Sequence, residues 1–306
     1  MRILFMGTPD IAAESLAALL DAGHEVCGVF TRRDKPVGRK QILTAPPVKQ
    51  LAVEHGLSVY QPRTLRDGSS DELIKELAPD IIVVVAYGCI IPPQLLHAAK
   101  YGCINLHVSL LPKYRGAAPI NWAVLNGDAV TGVTIMYMAK ELDAGDIISA
   151  AETPIDPDED ALTLTNRLAE LGAETLSRTV QALAAGTAGR TKQDESAVTF
   201  APMLSRELSP MDFTRPARSL HDQVRGLQPW PCAVTELSGA TVKVYRTAVG
   251  GAVKAAPGTI VRADKTGIEI ACGDGRTLRI LELQPQNGKR MAVASYLAGH
   301  PVQVTV

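Results

Sequence analysis

The chain has 306 residues, 46% hydrophobic and 21% charged, with 31 basic and 32 acidic side chains. These proportions exclude a disordered, collagen-like or fibrous chain and leave length enough for two domains. Apolar runs such as Ile81 to Tyr87 are far shorter than the ~18 residues of a membrane span, and Met1-Arg2 leads into a strand-like run without a signal-peptide pattern, so a cytoplasmic protein with no membrane partner is expected.

The five cysteines, Cys27, Cys89, Cys103, Cys232 and Cys272, are odd in number and widely spaced. That pattern fits isolated thiols in a reducing compartment better than a disulfide framework or a zinc site. Charge is uneven along the chain. Residues up to Ser205 hold 18 basic and 24 acidic side chains, a net −6, whereas Arg206 to Val306 hold 13 and 8, a net +5. A mildly basic C-terminal part suits a polyanionic partner, and it is equally an ordinary solvated surface.

In chain order, Arg2 to Met6 reads as a buried strand, Gly7-Thr8-Pro9 as a tight turn, and Pro9 to Ala22 as a helix with Ile11, Ser15/Leu16 and Leu19 on one face. A strand over Glu25 to Thr31 leads to a long loop, a helix from Pro46 or Pro47 to His55, and a strand over Leu57 to Tyr60. Next come a helix over Asp71 to Leu77 and a strand over Asp80 to Tyr87. Its unbroken run Ile81 to Val85 is the pattern of a parallel strand covered on both faces. A helix over Pro92 to Lys100 and strands over Cys103 to Ser109, Val130 to Met138 and Asp146 to Ala151 complete a doubly wound domain.

Pro157 to Gly186 reads as one long amphipathic helix. After Pro229-Trp230-Pro231, five short strands (Ala233 to Leu237, Thr241 to Thr247, Gly258 to Ala263, Gly267 to Ala271 and Thr277 to Gln284) predict a small barrel. The expected architecture is a Rossmann-like, doubly wound, mostly parallel α/β domain over 1–190, a linker over 191–206 and an OB-like β-barrel over 207–306.

The densest polar signal is Asn105-Leu106-His107-Val108-Ser109, running into Leu110-Leu111-Pro112-Lys113-Tyr114-Arg115-Gly116. Strand alternation places Asn105, His107 and Ser109 on one face. The carboxyl ends of parallel strands are where such sheets bind ligands. A buried, hydrogen-bonded histidine is the competing reading of His107. Downstream, Glu141-Leu142-Asp143-Ala144-Gly145-Asp146 forms a turn able to aim a carboxylate inward, or merely a solvated acidic turn. An amide, an imidazole and a carboxylate together suffice for acyl transfer without a covalent nucleophile. Neither a Gly-x-Ser-x-Gly elbow nor a P-loop is present, and no second ligand stands at metal spacing near His107. The loop Thr31 to Lys40 carries five basic residues and one acid, which suits phosphate contacts or simple solvation.

These motifs resemble the folate-dependent formyltransferases, and within them the methionyl-tRNA formyltransferase family. The resemblance rests on Asn105, His107 and Ser109 running into Leu110-Leu111-Pro112-x-Tyr114-Arg115-Gly116, with Asp143 downstream. It extends to the opening Arg2 to Asp10, the basic loop, Val85 to Gly88, Val224-Arg225-Gly226-Leu227-x-Pro229-Trp230-Pro231, and Leu283-Gln284-Pro285 leading to Gly288-Lys289. It implies transfer of a formyl group from 10-formyltetrahydrofolate to the amino group of methionyl initiator tRNA; a monomer without a metal is expected. Residues 1–190 would be catalytic and 207–306 would hold the tRNA. Asn105 and His107 would polarise the formyl oxygen, and Asp143 would orient His107 and assist proton removal.

The resemblance further implies that Ser109, Leu110, Leu111 and Pro112 line the folate pocket, with Val85, Ala86, Tyr87 and Gly88 close to the pterin. Arg33, Arg39, Lys40, Lys289 and Arg290 would meet the tRNA. The loop departs from the family's usual Gly-Arg-Gly-Lys-Lys, reading Gly38-Arg39-Lys40-Gln41-Ile42. The same three catalytic residues would serve a relative that formylates a small amine or an amino-sugar nucleotide, or that hydrolyses the folate. An RNA-binding protein with an inactive α/β scaffold is the alternative from another class.

Overall fold

The computed structural model describes residues 1–38 and 40–305. The chain divides into two compact units, and the division is not a single cut: residues 1–116, 131–153 and 165–200 form one, and 117–130, 154–164 and 201–306 form the other.

The first unit is built on a seven-stranded sheet. Its elements in chain order are β1 (Arg2–Gly7), α1 (Asp10–Asp21), β2 (Glu25–Phe30), the short strands β3 (Lys35–Val37) and β4 (Ile42–Thr44), α2 (Pro47–Glu54), β5 (Val59–Tyr60), α3 (Asp71–Leu77), β6 (Ile81–Val85), β7 (Cys103–His107) and β8 (Arg115–Gly116). After α4 (Pro119–Leu125) of the second unit come β9 (Val130–Tyr137), β10 (Ile147–Pro154), the long α5 (Ala161–Ala185) and β11 (Phe200–Ala201). The sheet order is β10-β9-β7-β6-β1-β2-β5. Strands β5 to β7 along that order run parallel, and β9 lies antiparallel to β7. The fold is therefore the expected mostly parallel α/β sheet.

Alternation explains the unbroken apolar strands. Ile3, Phe5, Ile81, Val83 and Val85 pack with Leu16 and Leu19 of α1, Val48 of α2 and Leu176 and Val180 of α5. Leu4, Met6, Ile82 and Val84 face the other way, toward Ile74 of α3 and Leu95 and Leu96. Strands β1 and β6 thus each feed two cores and have no polar side to offer. The region read as a helix over Pro92 to Lys100 is a single 3₁₀ turn, Pro93–His97. The basic loop after β2 is not structureless: β3 and β4 pair as a hairpin, with Val37, Ile42 and Leu43 exposed.

In the second unit α4 packs with α6 (Ala217–Gly226), which is followed by β12 (Ala233–Leu237), β13 (Ala240–Ala252), β14 (Ile260–Asp264), β15 (Gly267–Ala271), β16 (Arg276–Pro285), β17 (Met291–Ala292) and α7 (Val293–Leu297). These strands form one antiparallel sheet in the order β12-β13-β16-β15-β14, with β17 on β16. Val242, Val244, Ile268, Ile270, Ile280 and Leu283 form its core with Val224 of α6 and Tyr296 of α7. Helices α6 and α7 lie outside the elements expected from the sequence; α6 is buried nearly all round, with Ala217, Leu220 and Val224 on its apolar side and His221, Asp222, Gln223 and Arg225 beside them. No helix of the described residues is long and apolar enough to cross a membrane.

Candidate active site

Strand order reverses between β1 and β6, since the chain adds β2 and β5 on one side of β1 and then β6 and β7 on the other. In open α/β sheets such a switch point leaves a crevice at the carboxyl ends of the strands. The loops leaving β1 and β6 meet there, where the Thr8 hydroxyl donates to the Tyr87 carbonyl at 2.8 Å. The end of β7, with His107, lies next to the end of β6.

Asn105 and His107 stand two residues apart on β7, on the face opposite Leu106, which points into the core. His107 is buried, at 6% exposure, while Asn105 is half-buried and its amide has no hydrogen-bond partner among the described residues. The strand ends at His107, so the alternation that groups Ser109 with the other two fails there. Ser109 instead shapes the following loop: its hydroxyl donates to the Lys113 carbonyl at 2.7 Å, and its carbonyl accepts from the Thr134 hydroxyl at 2.7 Å. Thr134 also accepts from the Leu111 amide at 3.1 Å, and the Leu111–Pro112 bond is cis.

The loop returns to the histidine. The Tyr114 carbonyl lies 2.9 Å from His107 Nε2. A carbonyl only accepts, so Nε2 carries the proton and the neutral ring keeps its lone pair on Nδ1. That nitrogen faces Asp143 Oδ2 at 3.7 Å. The same carboxylate oxygen accepts the Gly116 amide at 2.8 Å. The turn after β9 therefore does aim a carboxylate inward. Asp143 adopts a left-handed backbone, φ +48°, which aspartate tolerates better than most residues. Gly145 lets the turn press against β9, because a Cβ there would strike the Tyr137 carbonyl.

The remaining expected site residues occupy varied settings. Val85 points into the core with Ile104 and Leu106, so only its backbone borders the crevice. Tyr87 and Leu111 are buried, Ala86 and Gly88 are exposed, and Leu110 and Pro112 are intermediate. Arg33, Lys40 and Lys289 are exposed, Arg290 pairs with Glu282 and lies over the Tyr245 ring, and Arg39 is outside the described residues. Among the described residues no cluster of histidine, cysteine or carboxylate groups is spaced to hold a metal ion.

Two residues that sequence reasoning assigns to a linker sit on this site. Thr199 accepts the Tyr114 amide on its hydroxyl at 2.9 Å and the Arg115 amide on its carbonyl at 2.9 Å. Gln193 donates to the carbonyls of Asp143 and Gly145, at 2.7 and 2.8 Å, and accepts from the buried Arg115 guanidinium at 3.1 and 2.8 Å. The sequence offers no signal for either, since their partners are mostly backbone groups.

The family model for formyl transferase matches residues 1–180, and that for the formyl transferase C-terminal domain matches residues 203–301. The methionyl-tRNA formyltransferase of Geobacter sulfurreducens is 50% identical over 98% of this chain and 94% of its own length. That of Trichlorobacter lovleyi is 48% identical over 98% and 95%. Among solved structures, an N-formyltransferase from Helicobacter canadensis, in complex with folinic acid and dTDP-3-aminofucose, superposes with a TM-score of 0.70 over 92% of this chain and 98% of that one, at 18% identity. HypX from Aquifex aeolicus in complex with tetrahydrofolic acid superposes at 0.66 over 97% of this chain and 47% of that one, at 19% identity. Those two likenesses show the fold, whereas the identities and the family matches extend along both units: the chain is an enzyme of the methionyl-tRNA formyltransferase family.

Proposed function

We propose that this enzyme moves the formyl group of 10-formyltetrahydrofolate to the amino group of methionyl initiator tRNA in the cytoplasm, by direct amine attack with no covalent enzyme intermediate. The observation that carries the mechanism is the pairing of His107 Nδ1 with Asp143 at 3.7 Å while Nε2 is engaged by the Tyr114 carbonyl. The ring is thereby held in one orientation with a single nitrogen left for chemistry.

The amine lone pair forms the new bond to the formyl carbon, and the carbonyl π pair moves onto oxygen. The Asn105 amide, without a hydrogen-bond partner among the described residues, donates to that oxygen, as does His107 Nδ1 when it carries a proton. The proton leaving the ammonium passes to the His107/Asp143 pair. Collapse of the oxyanion then breaks the bond to N10 of the folate, which takes up a proton. Ser109, Leu110, Leu111 and Pro112, with the Val85 to Gly88 segment, border the crevice in which the folate lies. The exposed charges Arg33, Lys40 and Lys289, with Arg39 and Arg290, suit a phosphate backbone. Residues 1–190 carry the chemistry and 207–306 hold the tRNA, joined through 191–206, in a monomer.

The test follows labelled formyl from the folate to methionyl-tRNA, to glycinamide ribonucleotide and amino-sugar nucleotides, and to water, with wild type and Asn105→Ala. Transfer to tRNA is expected to dominate. The variant should lose about 10²- to 10³-fold in kcat, the usual cost of one oxyanion donor, with folate binding little changed. Equal turnover in the variant removes Asn105 from the mechanism, and label in a small amine or formate changes the substrate.

A further inference from the structure

The Asp143 turn is held by something other than its own sequence. Its left-handed backbone at φ +48° is uncommon for a non-glycine residue, even though aspartate tolerates it better than most, and it is backed by bonds from outside the turn. Two of its carbonyls, those of Asp143 and Gly145, are both satisfied by the one Gln193 amide group, at 2.7 and 2.8 Å. The other end of that amide accepts from Nε and Nη2 of Arg115, which is 5% exposed and also pairs with Glu195 at 2.8 Å. The orientation of the Gln193 side chain is forced, since the carbonyls can only accept and the guanidinium can only donate.

Arg115 is flanked in the chain by the two residues that hold the catalytic pair. The Tyr114 carbonyl fixes His107 Nε2, and the Gly116 amide fixes Asp143 Oδ2. These bonds, closed by the 3.7 Å contact between His107 Nδ1 and Asp143, form a circuit: imidazole, Tyr114-Arg115-Gly116, Gln193, the Asp143 backbone and the Asp143 carboxylate. We propose that Gln193 is a positioning residue for formyl transfer, locking the turn that carries Asp143 to the loop that carries the partners of His107. The inference rests on the catalytic reading of Asp143 given above. A residue in the 187–200 stretch, beyond the last helix of the α/β unit, thus sets the geometry of the reacting groups.

Loss of Gln193 leaves two carbonyls without their donor and frees the turn to relax. Displacement of a catalytic group by about 1 Å is enough to cost on the order of 10²-fold in rate. Two variants separate positioning from simple tethering. Gln193→Met keeps the length and loses every hydrogen bond, while Gln193→Glu keeps the acceptor toward Arg115 and loses both donors to the turn. Both should lower kcat by roughly 10- to 100-fold, with the KM for 10-formyltetrahydrofolate within about threefold of wild type and a preserved cooperative melt.

If Gln193 acts through Asp143, it has little left to position once that charge is gone, so adding Gln193→Glu to Asp143→Asn should slow the enzyme by less than about threefold. A wild-type kcat in Gln193→Glu overturns the proposal, as does a full multiplicative loss in the double variant. Should Gln193→Met fail to fold, the Glu variant and the double variant carry the test alone. A wild-type rate in Asp143→Asn by itself sinks the catalytic reading of Asp143, an outcome distinct from failure at Gln193.

Discussion

Because the Tyr114 carbonyl occupies Nε2, the two ring nitrogens of His107 differ in what they can contribute. Amide side chains mimic them separately: an asparagine at 107 places its nitrogen or oxygen near Nδ1, and a glutamine reaches the Nε2 position. His107→Gln can keep the bond to Tyr114 yet offers nothing toward Asp143 and the formyl oxygen. His107→Asn retains a donor there but no group that can take a proton. Both variants should be slowed by ~10²-fold or more, with Asn faster than Gln by roughly tenfold, the value of about one hydrogen bond. Single-turnover kinetics at saturating folate and tRNA read this order, and the reverse order assigns the chemistry to Nε2. Asn105 and His107 stand out in the sequence because period-two spacing on a strand is a local feature, whereas the turn Glu141 to Asp146 shows only that one carboxylate can point inward, and it is the family resemblance that singles out Asp143. Gln193 and Thr199 do not stand out, because a polar residue in a stretch rich in Gly, Thr, Lys and Asp looks solvated until the backbone it binds is folded beside it.

At the scale of elements, legibility followed the apolar pattern. The β6 run and the strands β12 and β15 stand where their hydrophobic residues put them, whereas in the short α6 the apolar Ala217, Leu220 and Val224 are interspersed with polar residues that are buried as well. Arg225 donates to Asp222 at 2.8 Å and to the Glu159 carbonyl at 2.9 Å. His221 Nε2 donates to the Pro157 carbonyl at 3.1 Å, which leaves Nδ1 to accept from the Thr247 hydroxyl at 3.0 Å. Ala217, Leu220 and Val224 give this helix a narrow apolar stripe that packs into the core, and its satisfied polar groups are buried beside it. Burial holds the His221 imidazole below its ordinary 6.5, helped by Arg218 and Arg225 and opposed by the Pro157 carbonyl and Asp222, while the exposed Asp158 carboxylate lies 3.3 Å from Nε2. The unfolded chain therefore takes up a proton near pH 6.5 that the folded chain resists, so this contribution to stability is lost as pH falls below that value. A His221→Gln variant lacks the titration. Its deficit in melting temperature relative to wild type should shrink between about pH 7.5 and about pH 5.5, followed by circular dichroism. A deficit that stays constant over this range means the imidazole does not titrate differently in the two states.

For the whole molecule, the way the chain crosses between units predicts what a cut will do. A fragment ending at residue 190 contains every strand of the seven-stranded sheet together with Asn105, His107 and Asp143, and by sequence alone it reads as a complete domain. It also contains residues 117–130 and 154–164, which belong to the second unit. There, Asn121 donates to the Gly226 carbonyl at 2.8 Å, Trp122 to the Pro202 carbonyl at 2.8 Å, and Leu125 lies so close to Gly226 that no Cβ fits between them. Arg225 and His221 satisfy the carbonyls of Glu159 and Pro157. The cut removes all of these partners and strips cover from α4, whose Ile120, Ala123 and Val124 are buried in the full chain. Two large apolar side chains left bare cost about 1.5 to 3 kcal/mol each, which is a large part of the ~5 to 15 kcal/mol that holds a domain folded. The cut also takes away Gln193 and Thr199, which hold the loops around His107. The 1–190 fragment should therefore melt far below the full chain, with a broadened transition and no measurable formyl transfer to any amine. A sharp transition at the full-chain temperature would mean that residues 117–130 and 154–164 do not need the C-terminal elements they fold with, and that the first 190 residues are an autonomous domain after all.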